Sequence, residues 1–208
     1  MEVHVLSSKL VKPASTKQVD GPEYIPLSVF DKVTDQMQMA MIYAFAAPAP
    51  TTAALEKGLA VALSEYRALA GQLVRNRSEG PAVLLNDRGA RVVEACVDAD
   101  ADMADVALPN PKPELLTDLE EEAIKVVVVV QLTRFSCGSL VVGFSRSHAV
   151  ADGRATSNFL VAWGRATRGL TMGLAPMYNH LDLFKPRPSH CRIEFEFDHR
   201  NREYYLNL

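Results

Sequence analysis

Cysteine is scarce and scattered in this chain. Cys96, Cys137 and Cys191 are the only three in 208 residues, an odd set with no CxxC pair. That argues against a disulfide framework or a cysteine-based zinc site, and it fits a reducing compartment. An excess of positive charge is lacking too. The 22 Lys and Arg stand against 25 Asp and Glu, with no long basic run, so nucleic acid has no electrostatic footprint here. No apolar stretch approaches the ~18 residues that suggest a membrane-spanning helix. The N-terminus, Met1-Glu2-Val3-His4, has no charged region followed by an apolar one. Neither a signal peptide nor a membrane partner is expected, and the expected location is cytoplasmic. GxSxG is absent, and with it the nucleophile elbow of serine hydrolases. The acidic run from Asp98 fails as an EF-hand, because its sixth and twelfth positions are Met103 and Pro109 rather than Gly and Glu. It reads as solvated surface, as does the patch of Asp118, Glu120, Glu121 and Glu122. His180, His190 and His199 lack the spacing of paired zinc ligands, and no metal is expected.

What is present is a core. Hydrophobic residues make up 48% of the chain, enough for one large domain or two small ones. Val3, Val5, Leu6, Leu10 and Val11 predict a first strand, stopped by Pro13. Residues 37–47 (MQMAMIYAFAA) are apolar on both alternations towards their end, which predicts a buried strand. Its methionines are either core filling or a soft lining for a flat aromatic group. Thr51 or Thr52 caps an amphipathic helix carrying Leu55, Leu59, Leu63 and Tyr66, with Leu69 beyond and Gly71 as its stop. Segments 73–75, 82–85 and 92–97, with Asn86-Asp87-Arg88-Gly89 as a turn, predict a hairpin or meander. Pro109, Pro111 and Pro113 make a rigid loop. Five valines, 126–130, predict a central strand with both faces covered. It pairs across the turn at Ser136-Cys137-Gly138 with the strand that starts at Leu140. Beyond Gly169 prolines interrupt the pattern repeatedly, and 192–197 (RIEFEF) predicts a short strand.

The chain is organised around 139–164, SLVVGFSRSHAVADGRATSNFLVAWG. Leu140, Val141, Val142 and Phe144 form a strand that ends by presenting His148. A helix follows, with Phe159, Leu160 and Trp163 at helical spacing. Such strand-to-helix edges are where α/β proteins tend to hold ligands. Asp152 is suited to cap the helix and Gly153 to take a tight backbone. Taken singly, His148 also reads as an ordinary buried histidine satisfied by a backbone partner. Ser147 is a poor nucleophile, because neighbours on a strand point to opposite faces.

His148-Ala-Val-Ala-Asp152-Gly153 is an HxxxDG pattern between a strand and a helix, and it resembles the BAHD acyltransferases of plants. Ile25-Pro26-Leu27-Ser28-Val29-Phe30-Asp31 is similar to the N-terminal LxxxD-type segment of that family. The likeness runs from Val3 to about Tyr205. Residues 156–164 most resemble the grass hydroxycinnamoyl-CoA:amine N-acyltransferases. The resemblance implies an α/β, chloramphenicol acetyltransferase-like fold, with a mixed β-sheet flanked by helices. It implies no permanently bound cofactor and acyl-CoA as co-substrate. The acceptor would be an amine of the agmatine, putrescine, tryptamine or tyramine type. His148 would be the general base. Asp152 would support the histidine loop, its carboxylate turned away and paired with an arginine. Met41 and Tyr43 would line the acceptor pocket, and Gly153 would border the substrates. Family members are about twice this length and carry DFGWG in a second domain, which nothing here matches. The expectation is therefore an N-terminal half: a domain over 1–185, then the start of a crossover, 186–208, towards a missing C-terminal half. Such a half would be inactive alone and would expose an apolar face. The alternative is a catalytically silent half serving as a binding or assembly module.

Overall fold

The structure is a computed structural model, and it describes residues 2–17, 20–35, 37–76, 80–97, 126–173 and 175–178. The two acidic patches, the proline loop, Cys191, the 192–197 strand and the 185/186 boundary lie outside the described residues.

Strands β1 (Val3–Val11), β3 (Gln38–Phe45), β6 (Ala90–Val97), β7 (Val128–Arg134) and β8 (Leu140–Ser147) form a mixed sheet in the order β1-β6-β7-β8-β3. Only the β6/β7 pair is parallel. The valine block and the strand after it form the expected hairpin, Val128 opposite Arg146 and Leu132 opposite Val142. Every residue of β8, and all of β7 except Arg134, is buried. A β-branched run of this kind suits a pleated surface covered on both faces. A second sheet, β2 (Tyr24–Pro26), β5 (Gly80–Leu84) and β4 (Gln72–Asn76), is antiparallel in that order.

Helices α2 (Thr52–Glu65) and α3 (Gly153–Thr167) pack on each other and on the larger sheet. Leu59 and Leu63 from α2 and Phe159 and Trp163 from α3 meet Leu140, Val142 and Phe144 from β8. The Trp163 indole N–H donates to Leu55 O at 2.8 Å, so its polar atom is satisfied inside the core. The helices approach closely at Gly58, where a Cβ would lie 2.7 Å from Thr167 Cα. Gly58→Ala should therefore cost about 1–3 kcal/mol through overpacking. Urea denaturation checks this, and an unchanged midpoint would contradict it.

The segment 37–47 is a strand, but an edge strand. β8 is the one neighbour it has among the described residues, so Met37, Met39, Tyr43 and Phe45 are exposed rather than buried. Apolar periodicity could not reveal that the sheet ends there. Of the expected hairpin or meander, the hairpin is present, and the third strand leaves it. β4 and β5 form a hairpin in the small sheet, whereas β6 crosses into the large one between β1 and β7. Arg67 reinforces that split, bonding Glu23 Oε2 at 2.6 Å and Leu85 O at 3.2 Å. The capped helix begins at Thr51, as expected, but α2 ends at Glu65. A 3-10 turn (Arg67–Ala70) carries the chain on to Gly71. Two short elements carried no periodic signal: β2 and the five-residue helix α1 (Val29–Val33).

Candidate active site

His148 follows the last residue of β8. Its backbone N–H donates to Met37 O at 2.8 Å, joining the histidine to the start of β3. Val150 N–H closes the turn onto Ser147 O at 3.3 Å. Asp152 then caps α3: its Oδ1 accepts the Ala155 N–H at 2.7 Å, and its carbonyl accepts both the Thr156 N–H and hydroxyl. Capping of this kind satisfies orphan donors of the first helical turn.

The turn is held from beneath by alternation. Ala149 and Ala151 are buried, whereas His148 is half-buried and Asp152 exposed. Ala151 belongs to the main core; Ala149 packs with Leu27, Ala68, Val83 and Leu85 of the second cluster. The histidine-bearing turn thus stitches the two sheets together. The N-terminal segment 25–31 has its place here as well. Leu27 lies in the Ala149 cluster, and Ser28 with Asp31 forms a reciprocal capping box on α1. Asp31 is accordingly a helix-capping residue, held 2.8 Å from the Ser28 N–H.

Nothing among the described residues hydrogen-bonds to the His148 ring. Asp152 spends Oδ1 on the helix, so the two do not form a triad-like relay. Gly153 has an ordinary helical backbone and open space where a Cβ would stand, so the expected need for glycine there is not conformational. Met41 and Tyr43 do share a face of β3, the phenol donating to the Met41 sulfur at 3.6 Å. Met41 lies opposite Phe144 and Tyr43 opposite Val142. At about 3.3 Å per residue, Tyr43 is about 20 Å along the sheet from the histidine end. Met37 and Met39 occupy that end instead, both exposed: Met37 O accepts the His148 N–H and Met39 lies opposite Arg146. Among the described residues no group of three or more His, Cys, Asp or Glu could hold a metal, and no helix is long and apolar enough to cross a membrane.

One residue of the site escaped sequence reasoning. Arg146 continues the row Leu140, Val142, Phe144 on β8, yet it is only 2% exposed. Its Nε and Nη1 have no hydrogen-bond partner among the described residues. Burial pulls its pKa below the usual arginine value, and the Asp152 charge works against that fall. An arginine inside a strand of buried residues two positions ahead of a candidate base is the signal that could have found it.

Residues 1–206 match the family model described as the Transferase family. The chain belongs to the BAHD acyltransferase family. Among its BAHD relatives is putrescine hydroxycinnamoyltransferase 3 of Oryza sativa subsp. japonica, 64% identical over 99% of this chain and 47% of that protein. Agmatine coumaroyltransferase-1 of Hordeum vulgare is 42% identical over 98% and 47%. The chain spans about half the length of the curated relatives it matches. Vinorine synthase, a solved structure, superposes with a TM-score of 0.73 at 24% identity over 90% of this chain and 48% of its own. At that identity it shows the fold, which is the chloramphenicol acetyltransferase-like one expected.

Proposed function

We propose that this chain is the histidine-bearing half of an acyl-CoA-dependent N-acyltransferase that moves a hydroxycinnamoyl group onto an aliphatic amine. The observation that carries the reading is the His148 ring, half-buried and without a hydrogen-bond partner among the described residues, on a turn pinned into two cores. His148 is the general base. It takes the proton of the acceptor nitrogen as that nitrogen attacks the thioester carbonyl. A tetrahedral oxyanion forms and collapses by breaking the C–S bond, releasing the amide and CoA, whose thiolate receives the proton from the imidazolium. An imidazole, which can both take and give a proton near neutral pH, suits this shuttle. Acyl-CoA is a co-substrate, and no group is held permanently. The acceptor is of the putrescine or agmatine type, a choice supported by the relatives at 64% and 42% identity. Met37 and Met39 border the substrates, with Gly153 leaving the first turn of α3 open; Met41 and Tyr43 stand further along β3. Residues 1–185 form the N-terminal domain, and turnover requires the further length that the relatives possess.

The test is to follow CoA release from p-coumaroyl-CoA with putrescine, agmatine and tryptamine. One sample holds this chain alone; the other holds the chain completed by the C-terminal half of the 64% identical rice relative. Release in the completed sample only is expected. A folded, completed sample that turns over no amine would favour a silent assembly module. Asp152→Ala should lower stability by about 0.5–2 kcal/mol through loss of the cap and reduce turnover with it. Thermal denaturation and the same assay check both, and unchanged values would remove the supporting role.

A further inference from the structure

Strand β3 ends the larger sheet, with no described strand on its outer side. Which of its main-chain groups face outward follows from two backbone bonds. Met37 O accepts the His148 N–H at 2.8 Å, and Val127 O accepts the Ser147 N–H at 3.0 Å. Carried along the two registers, β8 turns its even-numbered residues to β3 and its odd-numbered ones to β7. On β3 the odd-numbered residues therefore bond to β8. The N–H and C=O of Gln38, Ala40, Ile42 and Ala44 point the other way, and no hydrogen bond joins them to a described residue. Open edges are ordinarily blunted by charge, proline or a bulge. Residues 38–45 contain no Asp, Glu, Lys, Arg or Pro, and their register with β8 is unbroken. The side chains along this edge are apolar and open. Met37, Met39, Tyr43 and Phe45 are exposed, and Met41 is half-buried.

We propose that β3 is a self-complementary docking edge whose occupant is β3 of a second copy of this chain, antiparallel about a two-fold axis at Met41. In that register Gln38 faces the partner's Ala44 and Ala40 faces the partner's Ile42, so every outward main-chain group finds a mate. On the helix-bearing face Met41 meets the partner's Met41, Met39 the partner's Tyr43 and Met37 the partner's Phe45. Thioethers then lie against thioethers or aromatic rings, contacts that sulfur makes well. A two-fold contact sets a patch against itself, so charge within it would repel. Residues 37–47 carry none. The pairing joins two five-stranded sheets into one of ten strands. It also covers Met37 and Met39, so the histidine end is closed along β3 in the pair and open in the single chain. The inference uses no step of the acyl-transfer reading.

Sedimentation velocity of this chain at micromolar concentration should give a species of twice its 22.8 kDa. Ala40→Pro removes an outward N–H and none that β8 uses, a change that edge strands accept. Ala40→Lys sets a charge diagonally across the seam from its own copy. Each should weaken the dimer about tenfold or more, with the far-UV circular dichroism unchanged. If Ala40→Pro unfolds the chain, Ala40→Lys decides. Register is read by oxidation in a Cys137→Ser background. Met41→Cys should cross-link to its counterpart, because directly opposite strand residues lie within disulfide range. Tyr43→Cys should not, since four residues at about 3.3 Å each separate it from its counterpart. A monomer overturns the proposal. So does a dimer that withstands Ala40→Lys, or one that cross-links through position 43 and not through 41. None of these readouts involves CoA release, so their failure is distinct from failure of the acyl-transfer reading.

Discussion

His148→Ala should lower kcat of the completed enzyme by about 10²–10⁴-fold, the usual worth of a positioned general base. Stability should barely change. The ring is half-buried and bonded to nothing among the described residues, and the bond that anchors the residue, N–H to Met37 O, belongs to the backbone and survives the substitution. The large effect on rate and the small one on folding distinguish a working side chain from a structural one. Steady-state kinetics with p-coumaroyl-CoA and putrescine, beside a urea curve for the same variant, measures both. A variant turning over at near-native rate would end the assignment of His148 as base.

The largest loss of stability should come from Phe159→Ala. Phe159 is fully buried in α3, edge-on to Tyr66 with ring centroids 5.4 Å apart and tilted against Phe144 at 5.9 Å. It ties the helix that Asp152 starts to α2's C-terminal cap and to the central sheet. Truncation removes buried area and leaves a cavity that three elements cannot close, at about 3–5 kcal/mol. That is a large fraction of the stability of a typical domain. A drop of under 1 kcal/mol in equilibrium denaturation would show that the helix pair and sheet do not share the core described above. His148→Ala and Phe159→Ala thus probe opposite ends of the same helix-to-strand unit: one the tool, the other its mounting.

Much of this unit was legible beforehand for simple reasons. The valine block and the strand from Leu140 had to be central, because a β-branched run with no polar alternation has no face to offer water. Asp152 before a helical repeat had to be a cap. What remained hidden depended on partners distant in sequence. The edge position of 37–47 follows from the sheet ending at β3, which no local pattern encodes. Nor could periodicity register α1, which is only five residues long, or β2, which is three. Resemblance assigns Met41 and Tyr43 to the acceptor pocket; the β3/β8 register sets Tyr43 opposite Val142, and Met37 is the residue at the histidine end. A charged residue in a strand ordinarily marks the solvent side, so no local pattern reveals that Arg146 is buried. The likeness of 25–31 to a family segment is visible as a motif, whereas the packing of Leu27 with Ala149 depends on the fold.

The most direct measurement of the central claim is a competition. The C-terminal half of the rice relative is held at fixed concentration with p-coumaroyl-CoA and putrescine, and this chain is titrated in while CoA release is followed. The rate should rise to a plateau, and adding the His148→Ala chain should then drive it back towards zero as inert halves displace active ones. A His148→Ala chain that sustains the plateau would contradict the account, because the reaction would then proceed without the imidazole.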